Sequence, residues 1–95
     1  MASMSFMPQL KEFLLRNGTI YTVRKYRMSD AMVDVGGIGE CHRIPIGTIK
    51  DKEDLTPHLE ESGFESVGDW WKKIRYFIPN SWDTKYLYKV VVLDE

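Results

Sequence analysis

Between Ile20 and Arg27 one predicted β-strand carries a threonine hydroxyl, two tyrosine rings and three cations. Side chains alternate along a strand. Ile20, Thr22, Arg24 and Tyr26 therefore share one face, and Tyr21, Val23, Lys25 and Arg27 share the other. A hydroxyl two residues from a guanidinium, beside an aromatic ring, suits a phosphate or the polar edge of a base. Neither face is wholly apolar, so the same residues also describe an edge strand whose Lys and Arg guard against aggregation.

Other residue types offer less chemistry. Cys41 and His42 are neighbours on a predicted strand and point to opposite faces, and no second Cys/His pair stands at ligand spacing. No metal and no cofactor are expected. Cys41 lacks a positioned base and reads as structural. The glycines at 36, 37 and 39 lack both the spacing and the βαβ setting of a phosphate cradle. Trp70 and Trp71 cannot both face a core, because helical neighbours lie about 100° apart. Trp82 follows a helix breaker and is the better candidate for stacking on a base.

The elements that must position these groups can be read from the pattern. A helix over 8–16 has Leu10, Phe13 and Leu14 at helical spacing, with Asn17-Gly18 as its stop. A strand over 20–28 follows, then a turn at Ser29-Asp30 and a short strand over 31–35. A reversal at 36–39 leads to a strand over 40–49, where Pro45 predicts an edge position or a bulge. Thr56-Pro57 reads as the cap and first residue of a short helix ending at Ser62-Gly63. Ser66 and Asp69 form a capping box for a helix over 67–78, whose stripe runs through Val67, Trp70 or Trp71, Ile74, and Phe77 or Ile78. The last strand, 85–93, ends continuously apolar, which implies burial on both faces.

Composition bounds the class. The chain has 95 residues, an apolar fraction of 43% and a net charge of −1, which suits one small globular domain spanning 1–95. A near-neutral chain excludes binding of nucleic acid by bulk charge alone. The charge is nevertheless segregated. Lys11, Arg16, Arg24, Lys25 and Arg27 face only Glu12 in their stretch, while the segment 51–65 is acidic. Such segregation permits a basic cleft on a neutral molecule. The single cysteine favours a reducing compartment. No run approaches the roughly 20 apolar residues of a membrane span. The amino end lacks a secretory pattern, and its first three residues read as an appendage outside the fold. A cytoplasmic location, with no membrane partner, is the expectation.

In order, these are a helix ending in glycine, a Thr-x-Arg strand, a hairpin and the run Glu60-Glu61-Ser62-Gly63-Phe64. A Trp-bearing helix ending at Pro79 and a Tyr-rich last strand complete them. The whole resembles the ASCH domain of the PUA-like superfamily. That resemblance implies an α+β fold, a small β-barrel flanked by helices, with a cleft lined by the Thr-x-Arg strand. It also implies RNA or a modified nucleoside as the partner, with DNA less favoured. Arg24 would then clamp a phosphate or carbonyl and Thr22 would orient the bound group. Lys25, Arg27, Lys72 and Lys73 would follow the backbone, with Tyr26 and Trp82 as stacking rings.

One branch of the family is similar to an amidase that hydrolyses N4-acetylcytidine with a lysine, a threonine and a glutamate. Its threonine matches Thr22, but its lysine falls on Thr19 and its glutamate on Ser62, next to Glu61. No catalytic residue is therefore assigned, and residual hydrolysis stands as the first alternative to binding. A protein-interaction module without a nucleic-acid ligand is the second.

Overall fold

The computed structural model describes residues 2–93. Five strands form one mixed sheet: β1 (Ala2–Met4), β2 (Thr19–Arg24), β3 (Ala31–Val35), β4 (Gly39–Ile49) and β5 (Lys85–Val92). Their order is β1-β3-β4-β5-β2, so β1 and β2 are the two edges and the sheet is not closed into the barrel expected. β1 runs parallel to β3, and every other pair is antiparallel. Helices α1 (Pro8–Asn17) and α2 (Val67–Phe77) and a 3-10 helix (Lys52–Glu61) complete the α+β fold. No helix among the described residues is long and apolar enough to cross a membrane.

Each face of the sheet has its own core. On one, Leu14 of α1 packs with Ile20, Val33, Val35, Cys41 and Val90. On the other, Leu55 of the 3-10 helix, Trp70 and Ile74 of α2, and Ile78 just after it pack against Ile49 and Leu87. Each such side chain contributes about 1.5–3 kcal/mol when fully buried. The stripe predicted for 67–78 is the buried side of α2, and Ser66 caps the helix by accepting the Asp69 amide. Of the two alternatives for the last stripe position, Ile78 is buried and Phe77 is exposed.

Four expectations need correction. The strand over 20–28 stops at Arg24, because the Tyr88 hydroxyl takes the Met28 amide at 2.6 Å and donates to the Tyr26 carbonyl at 2.9 Å. Those bonds turn the chain off the sheet. Of the two readings of Pro45 the bulge holds and the edge does not, since β4 is central. It tolerates Pro45 through a register shift between Pro45 and Gly47, and this leaves Ile46 as the extra residue of a bulge. The short helix starts at Lys52 rather than at Thr56, capped by a reciprocal pair in which Asp54 accepts the Asp51 amide and Asp51 accepts in return. Finally, Ala2–Met4 belongs to the fold: it pairs with Val33–Val35 and buries Met4.

Gly63 shows how the two layers meet around β2. It sits at φ +82°, where L side chains rarely go, and a Cβ there would lie 2.8 Å from the Leu10 side chain. The 3-10 helix therefore leads into a turn that touches α1 across the sheet edge.

Candidate functional site

The edge strand β2 has one side paired and one side free. In an antiparallel pair, hydrogen-bonded and non-hydrogen-bonded positions alternate. The Val92 amide donates to the Gly18 carbonyl at 2.8 Å. With the register Ile20↔Val90, Thr22↔Tyr88 and Arg24↔Tyr86, the main chains of Ile20, Thr22 and Arg24 face β5. Those of Tyr21 and Val23 point outward. Among the described residues nothing bonds to them.

A cleft of about 590 Å³ runs along this free edge. Phe6, Met7 and Leu10 form one wall, and Phe64, Ile74, Phe77 and Ile78 form the other. Main chain and side chains from Tyr21 to Tyr26 line it between the walls, and Lys73 adds a cation from α2. At the Thr19 end the 3-10 helix approaches, with Thr19 Oγ1 donating to Glu61 Oε2. At the other end Lys25 Nζ lies 3.7 Å from Asp83 Oδ2.

Arg24 is held from three sides. Its Nε donates to Thr22 Oγ1 at 3.1 Å and its Nη2 to the Ser5 carbonyl at 2.9 Å, while the guanidinium lies 4.9 Å from the Phe6 ring centre. Burial first, and then the charge of Arg43, push its pKa below the ordinary arginine value. Arg43 is almost fully buried on the same sheet face. It donates through Nε and Nη2 to the Ser29 carbonyl and lies 6.0 Å from the Tyr88 ring centre. Neither arginine meets a carboxylate among the described residues. Two guanidiniums thus share one sheet face with neutral partners only.

Of the residues expected to bind, the structure brings Thr22, Arg24, Lys25, Tyr26 and Lys73 to this cleft. Thr22 is nearly buried, and its hydroxyl is engaged by Arg24. Tyr26 is 70% exposed, with Lys25 Nζ 5.8 Å from its ring centre. Three expected residues fall elsewhere. Lys72 lines a neighbouring concavity of about 1040 Å³ with Trp71, Arg75 and Tyr76, which shares Phe64 and Lys73 with the cleft. Arg27 lies past the strand end, where alternation no longer sets its direction, and is exposed. Trp82 is 80% exposed in the turn before β5, beside the Asp83 that approaches Lys25.

Phe6, Phe77 and Arg43 were not expected at the site. Phe77 is one of the two alternatives that the spacing offers for the end of the core stripe. Arg43 had a signal: it shares strand parity with Cys41, so it stands on an inward face of a central strand, where a cation is unusual.

The groups aligned with the amidase pattern do not converge. Thr22 and Thr19 lie on opposite faces of β2, since Thr22 has odd separation from Thr19. Ser62 is fully buried, donating to the Leu59 carbonyl and accepting the Phe64 amide. Cys41 is buried and its thiol pKa is raised, by desolvation and then by Asp34. His42 pairs with Asp30 at 2.6 Å on the opposite strand face. No protein-family model, no curated protein and no solved structure matches the chain.

Proposed function

We propose that this chain is an ASCH-type, PUA-like module that binds single-stranded RNA in the cleft along β2. The observation that carries the reading is Arg24, a half-buried guanidinium with no carboxylate partner among the described residues, placed in a cleft walled by aromatic rings. A buried cation is costly unless an anion or several polar groups face it. A phosphate or a base carbonyl supplies what Ser5 and Thr22 supply only in part. Exposed Tyr26 and Phe77 offer faces for bases, and Lys25 and Lys73 offer contacts for phosphates. The near-neutral net charge makes this weak binding with a shallow salt dependence. Two or three phosphate contacts correspond to a slope of about −1.4 to −2.1 in log K against log salt.

The PUA-like likeness belongs to the same proposal. A Thr-x-Arg strand beside a cleft, with helices packed on both sheet faces, agrees with its expected layout. The open edge at β2 is the departure from a closed barrel.

Titration of RNA and DNA hexamers into isotopically labelled protein tests the reading. Shifts at Thr22, Arg24, Tyr26 and Phe77, larger for RNA and fading as salt rises, are expected. Shifts confined to the acidic 3-10 helix, or none at low salt, refute it and favour the interaction module.

A further inference from the structure

We infer that the free main chain of Tyr21 and Val23 reads the Watson–Crick edge of one unpaired base. This deepens the RNA-binding proposal and rests on it. The starting point is a pair of backbone units whose N–H and C=O groups point away from β5 and have no partner among the described residues. Sheet edges are usually blunted or covered, because an open edge recruits another chain. Here the edge lies along an apolar cleft instead of under a helix.

The free stretch is short, and both ends are occupied. At Thr19 the Glu61 carboxylate and the Gly63 turn lie across the edge. At Lys25 the Asp83 carboxylate approaches. Only two outward-facing residues remain between these stops, about 7 Å apart along the strand. An added peptide strand would gain a ladder of two residues there. A base needs less. Each of the four bases has a donor and an acceptor side by side on its Watson–Crick edge, the same pattern that one extended residue offers from its N–H and C=O. Single-stranded bases are commonly bound this way, splayed out, stacked on rings and hydrogen-bonded along that edge.

The rest of the cleft fits such an occupant. Phe6 on one wall and Phe77 on the other, with Tyr26 at the mouth, offer ring faces to a flat ligand. Lys25 and Lys73 stand where the attached phosphates would leave the cleft. This charge complementarity separates a nucleotide from an apolar peptide. Recognition through the main chain also means that no side chain of β2 needs to encode it.

The test uses RNA homohexamers of the four bases and, for the tightest, its edge-methylated counterpart: 3-methyluridine, 3-methylcytidine, N1-methyladenosine or N1-methylguanosine. The methylated strand keeps the phosphates and loses the pairing edge. Binding at least tenfold weaker is expected, together with loss of the shifts at the Tyr21 and Val23 amides. Val23→Pro is the matching protein variant. It deletes an outward N–H and leaves the β5-facing bonds intact, which edge strands tolerate. It should weaken the unmodified hexamer by a similar factor, with an unchanged circular dichroism spectrum. If methylated and unmodified strands bind equally, the base edge is not read and this inference fails while RNA binding stands. If no hexamer binds, both fail. If an acidic peptide, and no RNA, shifts the Tyr21 and Val23 amides, the edge serves strand addition and the inference is overturned.

Discussion

The Tyr88 hydroxyl donates to the carbonyl of Tyr26 at 2.9 Å, across 62 residues of chain, while Tyr88 itself stands opposite Thr22 in the β2–β5 register. One side chain thus ends the strand, turns the following segment and supports the residue beneath the cleft. The same oxygen accepts the Met28 amide, so both of its hydrogen-bonding functions are used.

Replacing that residue isolates the effect. Tyr88→Phe keeps the buried ring and strands two main-chain groups, a change that costs about 1–3 kcal/mol for each group left without a partner. A partial relaxation of the turn toward water limits this to about 1–2 kcal/mol. Urea unfolding should report the loss, and hydrogen exchange at the Met28 amide should accelerate. Unchanged exchange there would show that the turn is held by other contacts.

This bond also marks where sequence reasoning ran out. Local signals were readable. Gly18 stops α1, Ser66 caps α2, and the Trp70, Ile74 and Ile78 stripe finds its core. Each depends on residues within a few positions of one another. The end of β2 depends on a tyrosine 60 residues away, and the role of β1 depends on Val33–Val35 accepting a parallel partner. Neither leaves a local trace. At the site, Thr22, Arg24 and Lys25 were readable as a strand pattern, whereas Phe6 and Arg43 come from other elements that only the folded sheet brings near.

Helix α2 separates stability from binding on two of its faces. Trp70 is buried in the second core and Phe77 is 59% exposed at the cleft. Trp70→Ala should destabilise by about 3–5 kcal/mol through lost contacts and a residual cavity. Phe77→Ala should change stability by less than about 0.5 kcal/mol and weaken RNA by about 1–3 kcal/mol if its ring stacks on a base. Thermal unfolding and hexamer titration of the two variants check this together. Equal losses of stability would mean that Phe77 is part of the core after all.

Cys41 should be inert in the native state. Burial raises its thiol pKa, so the reactive thiolate is suppressed. The sign follows from linkage: a raised folded-state pKa means that native protein holds the proton more tightly than unfolded chain. The contribution to stability is complete below the ordinary thiol pKa of about 8.5 and is lost as pH rises from there through the folded value. Iodoacetamide should therefore label the native protein far more slowly than the urea-unfolded protein at pH 8. Comparable rates would place the thiol at an accessible surface.

Hydrolysis is the alternative that geometry disfavours most directly. Thr22 Oγ1 accepts a hydrogen bond from Arg24 Nε, which withdraws electron density and supplies no base. Lys25 leaves the strand toward Asp83 instead. A hydroxyl without a base is a poor nucleophile at neutral pH. Incubation of purified protein with N4-acetylcytidine should yield no cytidine above background by chromatography. Turnover that disappears in Thr22→Ala would reverse this assignment and make the cleft an active site.

Arg24 and Lys72 should differ in how they affect RNA. Arg24 is fixed by Ser5, Thr22 and the Phe6 ring, so its remaining donors are oriented before a ligand arrives. Arg24→Ala removes that contact and should cost about 1.5–3 kcal/mol of affinity, the range for hydrogen bonds to a charged group. It also frees the Ser5 carbonyl, so Arg24→Lys is needed beside it. Lysine keeps the charge but not the planar fork and should recover only part of the affinity. Lys72 lines the other concavity and is exposed, so any contact it makes with RNA is a mobile one to the backbone. Lys72→Ala should weaken all hexamers alike by a small factor and reduce the salt slope by about 0.7 if that lysine meets a phosphate. Fluorescence anisotropy over a salt series separates the two. An Arg24→Ala variant that binds as tightly as wild type, with its fold intact, would remove the guanidinium from the site and leave Arg24 as a clasp for the β1–α1 connection.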